Sequence, residues 1–143
     1  MVSTHCRSAL GAALIAAALL AGPAAVADAG ANKRLVTAFM HDVFFERNVA
    51  AAEKYLAPDY LQHNPKVAPG LAGFQETVGA WFARLPADFS DEVLHVVAED
   101  DLVVVHGRVS LTDPKTGTPR SATGFDLFRV AGGRIVEHWD SDG

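Results

Sequence analysis

Residues 124–140, GFDLFRVAGGRIVEHWD, set a carboxylate, Asp126, inside an otherwise apolar strand-like run and a histidine, His138, on the run that returns. Aspartate is a poor strand former and is rarely buried without a partner. In VAGGR, Gly133 suits the left-handed residue of a three-residue hairpin loop, which pairs Val130 with Arg134, Phe128 with Val136 and Asp126 with His138. Direct cross-strand neighbours lie about 5 Å apart at their Cβ atoms, so acid and imidazole meet. With the preceding connection centred on Thr116, Leu111 pairs with Ser121 and His106 falls opposite Asp126. That places His106, Asp126 and His138 in one row across three strands, a row that a slip of one residue destroys.

An aspartate between two imidazoles has three chemical uses. Desolvation raises its pKa and a charged histidine lowers it, so it can serve as a general base or a general acid. Imidazole and carboxylate together also suit a divalent metal such as zinc or iron. The third use is an ion pair that ties strands together. His63, in DYLQHNP, bears on the choice: alternation puts Leu61 and His63 on one side and Tyr60 and Gln62 on the other. With Leu61 toward the core, His63 points into the space between helices and sheet. The competing reading is a loop histidine before the turn of Asn64-Pro65.

The elements that must position these groups follow from periodicity. Val36, Phe39, Met40, Val43 and Phe44 mark an amphipathic helix over residues 33–46. Asn48 can cap a short helix through Leu56, and Leu71, Phe74, Val78, Trp81, Phe82 and Leu85 mark a third that Pro86 ends. DYLQHNP reads as an extended lead into a loop. After residue 91 the period becomes 2: VLHVVAE, LVVVHGRVSLT, SATGFDLFRV and RIVEHWD are four strands joined closely enough to be antiparallel neighbours. Helices followed by a meander give an α+β domain with helices on one face of a curved sheet.

The strands carry apolar residues on both faces. One face is read as holding Val103, Val105, Phe125, Leu127 and Trp139, the other Val104, His106, Asp126, Phe128 and His138. Three helices cover one face only, so a homodimer through the sheet is expected. The 143 residues suit one domain. A short basic start, the apolar run ALGAALIAAALLAG and Ala25-Val26-Ala27 read as a secretory signal over residues 1–27, cleaved after Ala27, with the domain occupying 28–143. The run is shorter than the roughly 20 residues of a membrane span, so export without a stable membrane anchor is expected, to the periplasm or the medium. Cys6, the one cysteine, lies in that leader, and its removal with Arg7 leaves 11 Lys+Arg against 17 Asp+Glu. An acidic chain without a basic cluster argues against a nucleic-acid partner.

YLAPDYLQHNP, then a glycine and a helix, then DLVVVHGRV and the D-x-F-R-x4-G-R-I-V-E-H-W-D run resemble the SnoaL-like polyketide cyclases of the nuclear transport factor two-like superfamily, from about residue 33 to the end. The resemblance implies a cone-shaped fold, a curved antiparallel sheet wrapped by helices around a pocket, and dimerisation through the sheet. It also implies a metal- and cofactor-independent reaction in which Asp126 is the acid/base of an intramolecular aldol condensation. By motif position His63, His106 and His138 are polar pocket residues, and Asn64 joins them as a substrate contact. Phe39, Phe74, Trp81 and Phe128 are then the apolar wall for a small aromatic or alicyclic molecule. The expectation is an exported pocket protein of cyclase or isomerase type. A non-catalytic binder of small apolar molecules and a His/Asp metal enzyme are the alternatives.

Overall fold

The computed structural model describes residues 28–141; the leader read in residues 1–27 lies outside them. Helix α1, Ala29–Phe39, starts where the Asp28 carboxylate accepts the Ala31 N–H at 3.0 Å and satisfies one of the unpaired first-turn donors. The helix expected to run on to residue 46 changes pitch at Met40. Met40–Phe45 is π-helical, closing with Glu46 N–H donating to the His41 carbonyl at 2.9 Å. Val49–Lys54 is a 3-10 helix, started by the Asn48 backbone carbonyl and not by its side chain.

The extended lead into a loop expected of DYLQHNP is present: Asp59–Gln62 end a strand, β1, Leu56–Gln62, and His63 and Asn64 lead on into a turn at Pro65. Helix α2, Gly70–Phe82, follows, and then β2 (Ser90–Glu99), β3 (Leu102–Thr112), β4 (Pro119–Ala131) and β5 (Arg134–Asp140). Sheet order is β1-β5-β4-β3-β2. The expected antiparallel meander is present, and β1 adds to its β5 edge in parallel, which makes the sheet mixed.

The core lies between the helices and one sheet face. Phe39 is its hub, with ring centroids 5.7 Å from Phe44, 5.9 Å from Phe74 and 5.8 Å from Phe128. Edge-on and tilted aromatic pairs of this kind each add about 0.5–1.5 kcal/mol beyond area burial. Phe39, Phe74 and Phe128 are therefore buried, at 1%, 4% and 2% exposure, around the Phe39 ring, whereas Trp81 of the expected apolar wall lines a cavity.

Two registers differ from the sequence expectation. Gly132 and Gly133 both take left-handed φ, 57° and 73°, so the β4–β5 connection is a two-residue turn pairing Ala131 with Arg134. A bulge at Val136 then moves the pairing on, so that Phe128 faces His138 and Asp126 faces Asp140. The net shift is two residues, so Asp126 and His138 keep a common face and become diagonal neighbours. Between β3 and β4 the slip is one residue: Ser110 pairs with Ser121, Val105 with Asp126 and His106 with Phe125. The cause is the Asp113–Thr118 loop, where the Asp113 carboxylate accepts the N–H groups of Lys115 and Thr116 and Gly117 turns at φ 68°.

The face assignment changes accordingly. Val103 and Val105 share the helix-covered face with Asp126, Phe128 and His138, whereas Val104, His106, Phe125, Leu127 and Trp139 lie on the other.

Candidate functional site

The β3 and β4 strands each carry a glycine, Gly107 and Gly124, and the two are direct partners on the helix-covered face. Glycine inside a strand marks a place where something other than a side chain comes close. Here the paired absence of side chains leaves the floor of a cleft of about 300 Å³. Met40 and Phe44 from the π-helical segment and Trp81 from the end of α2 form its roof, and Asp91, Asp126 and Asp140 supply its polar wall.

Behind Asp126 runs a hydrogen-bond chain whose proton positions can be derived. The Asn64 backbone N–H, a donor without ambiguity, donates to Gln62 Oε1 at 2.8 Å, which fixes the orientation of the amide. Its Nε2 then donates to the Tyr60 hydroxyl at 3.0 Å. His138 Nδ1, 3.0 Å from the same Oε1, must carry a proton to donate to it. At its other end His138 Nε2 lies 2.9 Å from Asp126 Oδ1. With Nδ1 already protonated, that contact holds one further proton, shared between imidazole and carboxylate. His138 is 7% exposed, and its ring lies against Phe128 at 4.7 Å. Asn64 is also buried, and its amide donates to Asp140 Oδ2 at 2.7 Å.

Asp91 is the residue that sequence reasoning missed. Burial pushes its carboxyl up to about 6, and the charge of Asp126 adds to the rise, against an opposing backbone N–H of Glu92. Counting alternately back from Val96, the partner of Val105, puts Asp91 on the outer face. A bulge between Val93 and His95 reverses the parity, and Asp91 pairs with Val109 on the cleft side. The available sequence cue was glycine in two adjacent strands, HGR and TGF, which marks where the cleft must lie. Burial, with the charges of Asp126 and Asp140, also drives the Tyr60 hydroxyl strongly upward, so Tyr60 stays neutral.

Of the residues singled out in the sequence, Asp126, His138, Asn64 and Trp81 meet at this cleft or directly behind it. His106 does not: the one-residue slip puts it on the outer face, stacked on Phe125 at 4.5 Å, with its Nδ1 3.2 Å from His95 Nδ1. His63 does not either. Tyr60 (2% exposed) and Gln62 take the inward positions of β1, and Leu61 (49%) points out. His63 consequently stacks flat on Trp139 at 4.7 Å and bonds Glu137 at 2.8 Å. His63 and Arg129 together hold the Glu137 carboxyl below its usual range.

The sheet thus separates His63 and His106 from His138, and the three imidazoles cannot share one metal. Among the described residues, the set that could offer donor atoms to a cation is Asp126, His138 and Asp140, within 4.8 Å of one another. An ion there would have to displace the proton shared by His138 and Asp126.

Helices roofing an acid-lined cleft on a five-stranded mixed sheet define a nuclear transport factor two-like α+β protein. Residues 36–138 match the model of the SnoaL-like domain, and the chain belongs to that family. Similar solved structures include a candidate polyketide cyclase from Acidithiobacillus ferrooxidans, 26% identical with a TM-score of 0.65 over 77% of this chain and 86% of that one. TsrD from Streptomyces laurentii is 25% identical, TM-score 0.66, over 80% and 89%. An LEH-like epoxide hydrolase of M. tuberculosis, 16% identical with TM-score 0.63 over 80% and 79%, shares the fold. No curated protein matches the chain.

Proposed function

We propose that this chain is a cofactor-independent acid/base enzyme of cyclase or isomerase type, acting on a small cyclic or carbonyl-containing molecule. The observation that carries the reading is the His138–Asp126 dyad, which holds one proton beside an open cleft while Gln62 fixes the imidazole from behind. Asp126 takes a proton from carbon next to a carbonyl, and the developing oxygen charge is met by a proton donor. The shared dyad proton is the donor on that wall, joined below about pH 6 by the carboxylic acid form of Asp91. The candidate cyclase among the structural neighbours supports this reaction type. The leader read in residues 1–27 supports export, so the substrate is met outside the cytoplasm.

The test needs no natural substrate. Exchange of the α-protons of 2-tetralone in deuterated buffer, followed by proton NMR, reports carbon deprotonation directly. Catalysed exchange is expected for the wild type, with a loss of roughly a hundredfold or more in Asp126→Asn at an unchanged melting temperature. Equal exchange in the two proteins sinks the acid/base role.

A further inference from the structure

The electrostatics of the cleft discriminate among substrates more sharply than its shape does. Three carboxylates line it, and among the described residues no Lys or Arg does. His138 offsets Asp126 through the shared proton. No basic residue acts on Asp91, whose surroundings are burial and the charge of Asp126. An anionic ligand would be repelled before any chemistry. The roof, by contrast, is apolar and aromatic: Met40, Phe44 and Trp81 line it, Trp81 is 36% exposed, and its ring centroid lies 6.5 Å from that of Phe44. Aromatic faces beside carboxylates are the surroundings that attract an organic cation.

We propose that the ligand of this cleft carries a positive charge: a small aromatic or alicyclic amine in its ammonium form, with its nitrogen between Asp91 and Asp126 and its ring under Trp81 and Phe44. The proposal rests on the acid/base reading for the location of the site and deepens it by naming the charge of the substrate. It also makes binding depend on pH through Asp91. The groups facing that carboxyl are Asp126 and Asp140 from β4 and β5, Glu92 on its own strand, and His41 from the π-helical segment, itself engaged by Asp42 and Glu46. Asp91 loses its proton as pH rises through about 6, so affinity for a cation rises over the same interval.

Calorimetric titration of the full chain with benzylamine, and with benzyl alcohol as the uncharged isostere, tests this. At pH 7.5 the amine is expected to bind at least about tenfold more tightly than the alcohol. That advantage should shrink to about threefold or less at pH 5.0, and likewise at pH 7.5 in Asp91→Asn, with alcohol binding unchanged in both cases. Gly107→Leu, which fills the cleft floor without changing charge, should abolish binding of both probes. Glu99→Gln, an exposed acid outside the cleft, should change neither. Equal affinities, no binding of either probe, or an amine advantage that survives both pH 5.0 and Asp91→Asn would overturn the proposal. The pH series decides the matter even where Asp91→Asn fails to fold. Tetralone exchange separates the two readings: exchange without amine preference overturns only the cation proposal, and amine preference without exchange overturns only the acid/base reading.

Discussion

The two faces of one sheet carry similar residues in opposite settings. On the inner face His138 is nearly buried, both ring nitrogens have assigned partners, and the chain of bonds ends in a cleft. On the outer face His63 and His106 are also bonded and stacked, but to Trp139, Glu137, Phe125 and His95, and neither lines the cleft of Asp126. Histidine next to an acid and an aromatic ring is therefore not by itself a sign of catalysis. What sets His138 apart is the pair of glycines that floors the cleft beside Asp126 and the half-buried amide of Gln62, which fixes a proton.

Removing that amide gives the largest expected difference between the faces. In Gln62→Leu the His138 Nδ1–H loses its acceptor in a buried place, where an unsatisfied donor costs about 1–3 kcal/mol, and the ring is no longer held in one tautomer. Tetralone exchange should fall roughly ten- to a hundredfold. Long-range proton–nitrogen NMR should show His138 leaving its Nδ1-protonated form, while Gln62→Glu, which still offers an oxygen, should retain it. His63→Ala, on the outer face, should alter neither signal. If the His138 spectrum is the same in Gln62→Leu and the wild type, the tautomer is set by something else.

The outer face has its own predicted role. Val97, Phe125, Leu61 and Val104 are 66%, 55%, 49% and 36% exposed there, an apolar stretch of the kind that a second subunit covers. We propose a homodimer across this face. Val104→Glu, at its centre on β3, should weaken association about tenfold or more in sedimentation velocity while leaving tetralone exchange within about twofold. A wild-type chain that sediments as a monomer at micromolar concentration refutes the dimer.

Element types and most strand limits were legible in the sequence because alternation and helical periodicity report burial directly: β3 and β5 run over the residues that their patterns mark. Faces were less legible, because a face depends on parity and parity depends on single-residue events. The bulge at Val136 and the tighter Gly132-Gly133 turn together preserved the Asp126–His138 contact. The Asp113–Thr118 loop displaced His106 by one residue and removed it from the site. The bulge at Val93–His95 brought in Asp91, whose position before a strand gave no hint of an inward side chain. In β1 the choice between Leu61 and Tyr60 as the inward residue fell to Tyr60, the larger side chain, whose hydroxyl Gln62 could satisfy inside. Loop hydrogen bonding and bulges arise from local backbone geometry that hydrophobic periodicity does not encode.

The smallest predicted effect isolates Asp91 from any substrate. Its folded-state pKa, raised from 3.8 to about 6, means that the folded protein holds this proton more tightly than the unfolded chain. The resulting stabilisation is present below about pH 4, is lost as pH rises through about 6, and changes no further above that. Asp91→Asn keeps the shape of the protonated acid and cannot ionise. Its melting temperature should match that of the wild type near pH 4 and exceed it by roughly 5 °C near pH 8. A difference between the two proteins that stays constant from pH 4 to pH 8 would place the Asp91 carboxyl in water, outside the wall of the cleft. The same melting series on Glu99→Gln, an exposed acid, should show no such divergence, which ties the effect to burial beside Asp126 and not to the overall acidity of the chain.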